Sequence, residues 1–160
     1  MLGRTTGRIL AAAWARTPEP LRIRVVRALH PTFLCSVLGL VADERGRLLF
    51  LDHRFRGAQP RALPGGFMRP REQPAEALAR ELLEETGLRI AGAPTLFRAY
   101  VDPYQNNLVL VLHAALPPGE PPAIPESFEI LGGCFLGPGE LTEIVDDHSR
   151  DLAAEFWARR

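Results

Sequence analysis

The chain contains no lysine. All 19 of its basic residues are arginine, and they balance 19 acids to a formal net charge of zero. A neutral total excludes a global field that would draw the whole molecule to nucleic acid or to an anionic membrane. Cysteine is scarce: Cys35 and Cys134 stand far apart, each in an apolar, strand-like stretch. That excludes a disulfide framework and a thiolate zinc site. The two read instead as buried small hydrophobes in a reducing compartment, so a cytoplasmic location is expected. No apolar run approaches the ~20 residues of a membrane-spanning helix. The segment "RILAAAWA" has too short an apolar part for a secretory leader. There is no internal repeat. At 160 residues, 46% of them hydrophobic, the chain can bury the core of one soluble domain.

The charge that is present is unevenly spread. Residues 1–28 carry Arg4, Arg8, Arg16, Arg22, Arg24 and Arg27 against Glu19 alone, a net of +5, which leaves −5 for the rest. Residues 4–15 read as a short helix broken by the Pro18 and Pro20 of "TPEP", and 21–29 as a second helical piece. Residues 1–29 are therefore expected to form a basic N-terminal helical extension, and 30–160 the main domain. Leu2, Ile9, Leu10 and Trp14 give the first helix an apolar side. A membrane-surface or RNA-contacting appendage is one reading of it. The simpler reading is a helix packed on the domain or across a homodimer interface.

Further on, the pattern alternates. Residues 32–42 and 48–53 read as strands joined by the "DERGR" turn, a hairpin by spacing. A loop over 54–62 leads to a corner at Pro64-Gly65-Gly66. A helix over 74–86 stops at Gly87. Residues 88–102, 106–116 and 128–136 read as strands, 117–125 as a rigid loop, and 138–144 and 147–158 as helices. Such interleaving predicts a mixed sheet covered by helices, a layered α/β domain.

Helix 74–86 raises a physical problem. At about 100° per residue, Glu84 and Glu85 fall about 60° to one side and 40° to the other of Glu81, so three carboxylates share a face. Ala75, Ala79, Leu82 and Leu83 are left to pack on the sheet. Like charges at these spacings cost roughly 0.2–0.5 kcal/mol per pair, and the helix dipole disfavours anions near its C-terminus. A solvated charged face is the plain explanation. A hard divalent cation such as Mg²⁺ is the other, because carboxylate oxygens are its preferred ligands.

The full spacing favours the second. Gly66, five residues, Glu72, seven residues, then Arg80-Glu81-Leu82-Leu83-Glu84-Glu85-Thr86-Gly87-Leu88 fills every defined position of a 23-residue pattern that resembles the Nudix box. The order of strands and helices after about residue 30 is similar to that family as well. The resemblance implies a Nudix-type α/β/α sandwich. It also implies Mg²⁺-dependent hydrolysis, with Mn²⁺ as a substitute, of a nucleoside diphosphate linked to another group X. By matching position, Glu84 and Glu85 are implied metal ligands, with the Gly66 carbonyl a further one. Glu81 is a ligand through water or the base, Arg80 orients Glu81, and Glu72 caps the site or holds a second metal. A later glutamate serves in many relatives as base or ligand. Here Glu129 is the favoured candidate and Glu126 its rival, with Glu140 and Glu143 behind. A small-molecule partner is implied, with a homodimer as the family's habit and nucleic acid set aside.

Two positions depart from the common "GGxxExGE" form: the optional Glu is Arg69 and the usual Gly is Arg71. Both are open to three roles: solvated loop residues, cations that weaken metal binding, or a grip on substrate phosphates. Arg54 and Arg56 are candidates for diphosphate oxygens. Tyr104, with Tyr100, Gln105, Asn106 and Asn107, is a candidate for stacking and hydrogen bonding to a base or sugar. Alternatives to the hydrolase are a nucleotide sensor of the same fold that does not cleave, and removal of pyrophosphate from an RNA 5′ end.

Overall fold

The structure, a computed structural model, describes residues 4–30, 32–119, 121 and 123–160. Of the features read from sequence, Leu2, Pro31 and part of the 117–125 loop (Glu120 and Pro122) lie outside them. The chain divides into two compact units, 1–33 and 34–160. The first contains α1 (Arg4–Arg16) and α2 (Glu19–Leu29), separated at Pro18.

The second unit is built on a seven-stranded mixed sheet. Its strands are β1 (Leu34–Ala42), β2 (Leu48–His53), β3 (Arg61–Ala62), β4 (Gly65–Phe67), β5 (Ala91–Asp102), β6 (Asn107–Ala115) and β7 (Ile130–Leu136). α3 (Pro74–Thr86) and α4 (Asp147–Ala158) supply the helical cover. β1 runs parallel to β6 from Leu34↔Asn107 to Ala42↔Ala115, and the other pairings are antiparallel. The continuous apolar character of β1 and β2 follows from cover on both sheet faces. Leu49 and Leu51 join Val37, Val41, Leu78 and Leu82 in one core cluster. Leu48 and Phe50 join Leu40, Val111, Leu152 and Phe156 in the other. Alternation along β2 thus feeds both layers, as an α/β/α sandwich requires.

The expected β1–β2 hairpin exists only at its turn. There Asp43 Oδ1 accepts the Arg45 and Arg47 amides at 3.0 and 2.9 Å, and Ala42 pairs with Leu48. Beyond that pair the strands part. β1 continues against β4 (Val37↔Gly66, Leu38↔Gly65), while β2 continues against β3 and β7. The Gly65-Gly66 corner is therefore itself a short strand lying in the fork. Glycine is obligatory at 65, where φ is 153° and a Cβ would stand 2.2 Å from the Val37 carbonyl oxygen.

α3 matches its expected bounds. Pro74 opens it, the Gln73 amide donates to Glu76 Oε2 at 2.9 Å, and Gly87 closes it at φ 74°. Its buried side differs from the expected one. Ala77, Leu78, Leu82 and Thr86 are buried, whereas Leu83 is 40% exposed and Ala79 is exposed. Ala77, Glu81 and Glu85 form one i,i+4 row beside the Leu78-Leu82-Thr86 row. The glutamates thus continue a stripe that faces the protein. A hydrophobic pattern alone misassigns that face.

Residues 138–144 are turns rather than a helix. Pro138 and Gly139 (φ 86°) interrupt the start, and Glu140 Oε2 accepts the Gly137 amide. Val145 then bridges Arg61 in parallel, and the Asp146 amide donates to the Arg61 carbonyl at 2.8 Å. That lateral pairing ties the end of the segment to β3 just before α4. Both cysteines are free and half-buried, not fully buried.

Candidate active site

The site forms where β1 and β2 fork and α3 crosses above β4. Arg80 organises it. Its Nε donates to Glu72 Oε1 at 2.7 Å, and one Nη to Glu72 Oε2 at 2.9 Å and to the Phe67 carbonyl at 3.1 Å. The other Nη donates to Glu81 Oε1 at 2.7 Å and to Glu84 Oε2 at 3.2 Å. All five guanidinium donors are engaged. Arg80 therefore holds the loop residue Glu72 and the helix residues Glu81 and Glu84 in fixed relation. The Arg80 bonds, followed by the Arg69 amide at 2.7 Å, hold the Glu72 carboxyl down at about 2.

Gly66 lies directly under Glu81. A Cβ on it would stand 2.5 Å from Glu81 Cδ, so the helix carboxylate and the strand backbone meet only because no side chain intervenes. Glu85 lies deeper. Burial pushes its carboxyl up to about 8, with the Glu81 charge adding to the shift and a hydrogen bond from the Gly65 backbone opposing it. Glu85 Oε2 is buried without a hydrogen-bond partner. A buried, unpaired carboxylate costs several kcal/mol unless a cation compensates it.

Two connected compartments meet at Gly65, Gly66, Phe67, Glu85 and Glu129. The first, of about 420 Å³, is lined by Glu81, Glu84, Glu85 and Glu129 together with Arg69 and Arg80. The second, of about 390 Å³, has Phe55 and Tyr100 as aromatic walls and is lined also by Arg56, His53, Asp102, Gln105, Asn107, Asp146 and His148. The Tyr100 hydroxyl is hydrogen-bonded to His148 Nε2, and Asn107 Nδ2 donates to Ser36 Oγ at 2.8 Å.

The oxygen-only donor set and the orphaned Glu85 oxygen fit a hard divalent cation. Among the described residues no group of three or more His, Cys, Asp or Glu side chains is arranged to hold a metal by itself. A Mg²⁺ ion here would have to draw its remaining ligands from water and substrate phosphate oxygens.

The structure thus brings together Gly66, Glu72, Arg80, Glu81, Glu84, Glu85 and, from a distant loop, Glu129. It also brings Arg56 into the cleft, 3.7 Å from Asp146. Other expected residues lie elsewhere. Arg54 is taken up by Glu126 at 2.7 Å and the Phe128 carbonyl at 3.0 Å, tying β2 to the loop before β7, and neither Arg54 nor Glu126 lines a compartment. Tyr104 is 97% exposed in the β5–β6 turn, while Tyr100, Gln105 and Asn107 do line the cleft. Arg71 adopts φ 70°, a strained conformation for a residue with a side chain. Phe55, Asp102, Asp146 and His148 had no sequence signal. Their proximity arises only when the sheet folds.

With this geometry in hand, comparison with known proteins is direct. Residues 33–156 match the NUDIX domain model, and the chain belongs to that family. A MutT-like protein of Streptomyces ambofaciens is 42% identical over 60 residues, a match that spans 38% of each chain. A crystal structure of a NUDIX hydrolase from Nitrosomonas europaea superposes with a TM-score of 0.68 at 20% identity, covering 82% of this chain and 74% of that one. A MutT protein from Methanosarcina mazei Go1 gives 0.63 at 21% identity, covering 81% and 96%. These two likenesses establish the fold.

Proposed function

We propose that this chain hydrolyses the diphosphate bridge of a nucleoside diphosphate joined to a second group X, using Mg²⁺ or, in its place, Mn²⁺. The observation that supports this most is Glu85, a buried carboxyl with an orphaned oxygen at the wall shared by both compartments. Glu84, Glu85 and the Gly66 carbonyl would hold the metal, while Glu72, both of whose oxygens are taken by Arg80 and the Arg69 amide, would cap the site rather than bind a second ion. Bound there, a divalent cation neutralises charge developing on the phosphate oxygens.

The chain's own residues do the rest. Arg80 fixes the position of Glu81, and Glu81 or Glu129 takes a proton from the attacking water. A new oxygen–phosphorus bond forms as the bridging phosphorus–oxygen bond breaks, and the bridging oxygen leaves with the electron pair. Where X is attached through its own phosphate, the products are a nucleoside monophosphate and a phosphate ester of X. The aromatic and amide-lined compartment receives the nucleoside or X, with Arg56 at its phosphate end.

The test is phosphate release, coupled to a phosphatase, across nucleoside triphosphates, nucleotide sugars, dinucleotide polyphosphates and ADP-ribose, each with Mg²⁺, Mn²⁺ or chelator. Turnover of one class that chelator abolishes is expected. Silence across the panel with nucleotide binding retained would replace the hydrolase with a sensor. One contact favours that second reading: Arg69 lies on Glu84, one of the implied ligands.

A further inference from the structure

Arg69 lies in the loop between β4 and α3, and its side chain does something specific there. Its backbone amide is anchored to Glu72 Oε2 at 2.7 Å, inside the Arg80 network. One of its Nη atoms donates to Glu84 Oε1 at 3.0 Å and lies 3.5 Å from Oε2. Glu84 is thereby shared by two guanidiniums of different character. Arg80 is half-buried and has every donor engaged. The Arg69 side chain is 62% exposed, and its contacts among the described residues are those two alone. It is tethered at its backbone, and its exposed head is held by one carboxylate.

The same head lines the 420 Å³ compartment with Glu81, Glu84, Glu85 and Glu129. A cation arriving at Glu84 meets a guanidinium already on that carboxylate, and arginine cannot lose its proton to make way. A diphosphate entering the compartment offers paired anionic oxygens that match the guanidinium fork.

We propose that Arg69 competes with the divalent cation for Glu84 and transfers to the diphosphate oxygens when the cation binds, so that cation and diphosphate bind cooperatively. This rests on the metal-site reading given above. An arginine at this position exchanges intrinsic metal affinity for coupling: each ligand strengthens the other by the same factor.

The experiment is Mn²⁺ titration of the full chain by electron paramagnetic resonance, with and without methylenediphosphonate, a diphosphate that cannot be hydrolysed. Wild type, Arg69→Gln, Arg69→Lys and Glu85→Gln are compared, with thermal unfolding as the control for folding. Arg69→Gln is expected to bind Mn²⁺ alone about threefold more tightly, as loss of an exposed ion pair allows. In the same variant, methylenediphosphonate should tighten Mn²⁺ binding by a factor about threefold smaller than in wild type. Arg69→Lys should retain part of the coupling. A purely structural role would weaken both kinds of binding and would overturn the inference. Equal Mn²⁺ affinity in wild type and Arg69→Gln, with Glu85→Gln abolishing binding, overturns the role of Arg69 and leaves the metal site standing. Mn²⁺ binding indifferent to Glu85→Gln overturns both.

Discussion

At the residue scale, Arg80 and Gly66 together set the position of Glu81, the first by bonding it and the second by leaving room for it. Lysine at position 80 would supply a single compact charge and could not span Glu72, Glu81 and the Phe67 carbonyl. Arg80→Lys is expected to lower turnover at least about tenfold, read from kcat, since one misplaced catalytic group commonly costs that much or more. Gly66→Ala drives a methyl group into the Glu81 carboxylate. The obstructed atoms end a side chain that can rotate, so stability should change by less than about 1 kcal/mol while turnover is lost. Equilibrium unfolding beside a rate assay separates the two effects. His53 bears on pH dependence. Burial, then the Arg56 charge, lowers it from 6.5 to about 4, against smaller opposing effects of Asp146 and Asp52. Between those values the unfolded chain binds the proton that the folded one refuses. Its contribution to stability is therefore complete above pH 6.5 and is lost as pH falls towards 4, by at most about 1.4 kcal/mol per pH unit. His53→Gln should flatten that part of the stability profile.

At the element scale, α3 must both close the core and present carboxylates, and its two adjacent rows divide the work. Leu78 is fully buried, and Leu78→Ala is expected to cost about 2–5 kcal/mol in denaturant unfolding. Gly39 in β1 lies beneath it, with an added Cβ only 2.6 Å from Leu78 Cδ1, so Gly39→Ala should also destabilise the protein by forcing α3 to shift. The bounds of α3 were legible in the sequence because Pro74, Glu76 and Gly87 are local signals. Its buried face was not, because the row behind Ala77 carries Glu81 and Glu85 where a hydrophobic pattern expects leucine. The supposed 138–144 helix failed for a related reason. Its path is set by the turn at Pro138-Gly139 and by the pairing of Val145, just past its end, with Arg61, a partner more than 75 residues away in sequence. The hairpin was half-legible: Asp43 fixes the turn locally, but insertion of β4 into the fork is long-range.

At the scale of the whole molecule, the carboxylate-lined compartment was largely readable because most of its residues sit in one 23-residue stretch with a helix in it. The neighbouring compartment was readable only in part: Arg56, Tyr100, Gln105 and Asn107 were candidates by position and do line it. Phe55 and the Asp146–His148 pair come from separate segments, and sequence spacing carries no record of their proximity to the rest. For the same reason Arg54 and Tyr104, plausible by position, turned out to serve a loop tie and an exposed turn. Among the described residues, those lining both compartments fall within 34–160. Removal of residues 1–33 is accordingly expected to leave turnover of small nucleotide substrates within about twofold. A loss confined to RNA substrates would instead give the basic segment a role in the reaction.

The most direct test of the hydrolase reading is Glu85→Gln, assayed beside wild type on the metal-dependent substrate. The exchange preserves shape and hydrogen-bonding size while removing the charge that a cation would require. Turnover is expected to fall by about 10²–10³ or more, with an unchanged or higher melting temperature because a buried carboxyl has been neutralised. Full metal-dependent activity in the variant would contradict the account.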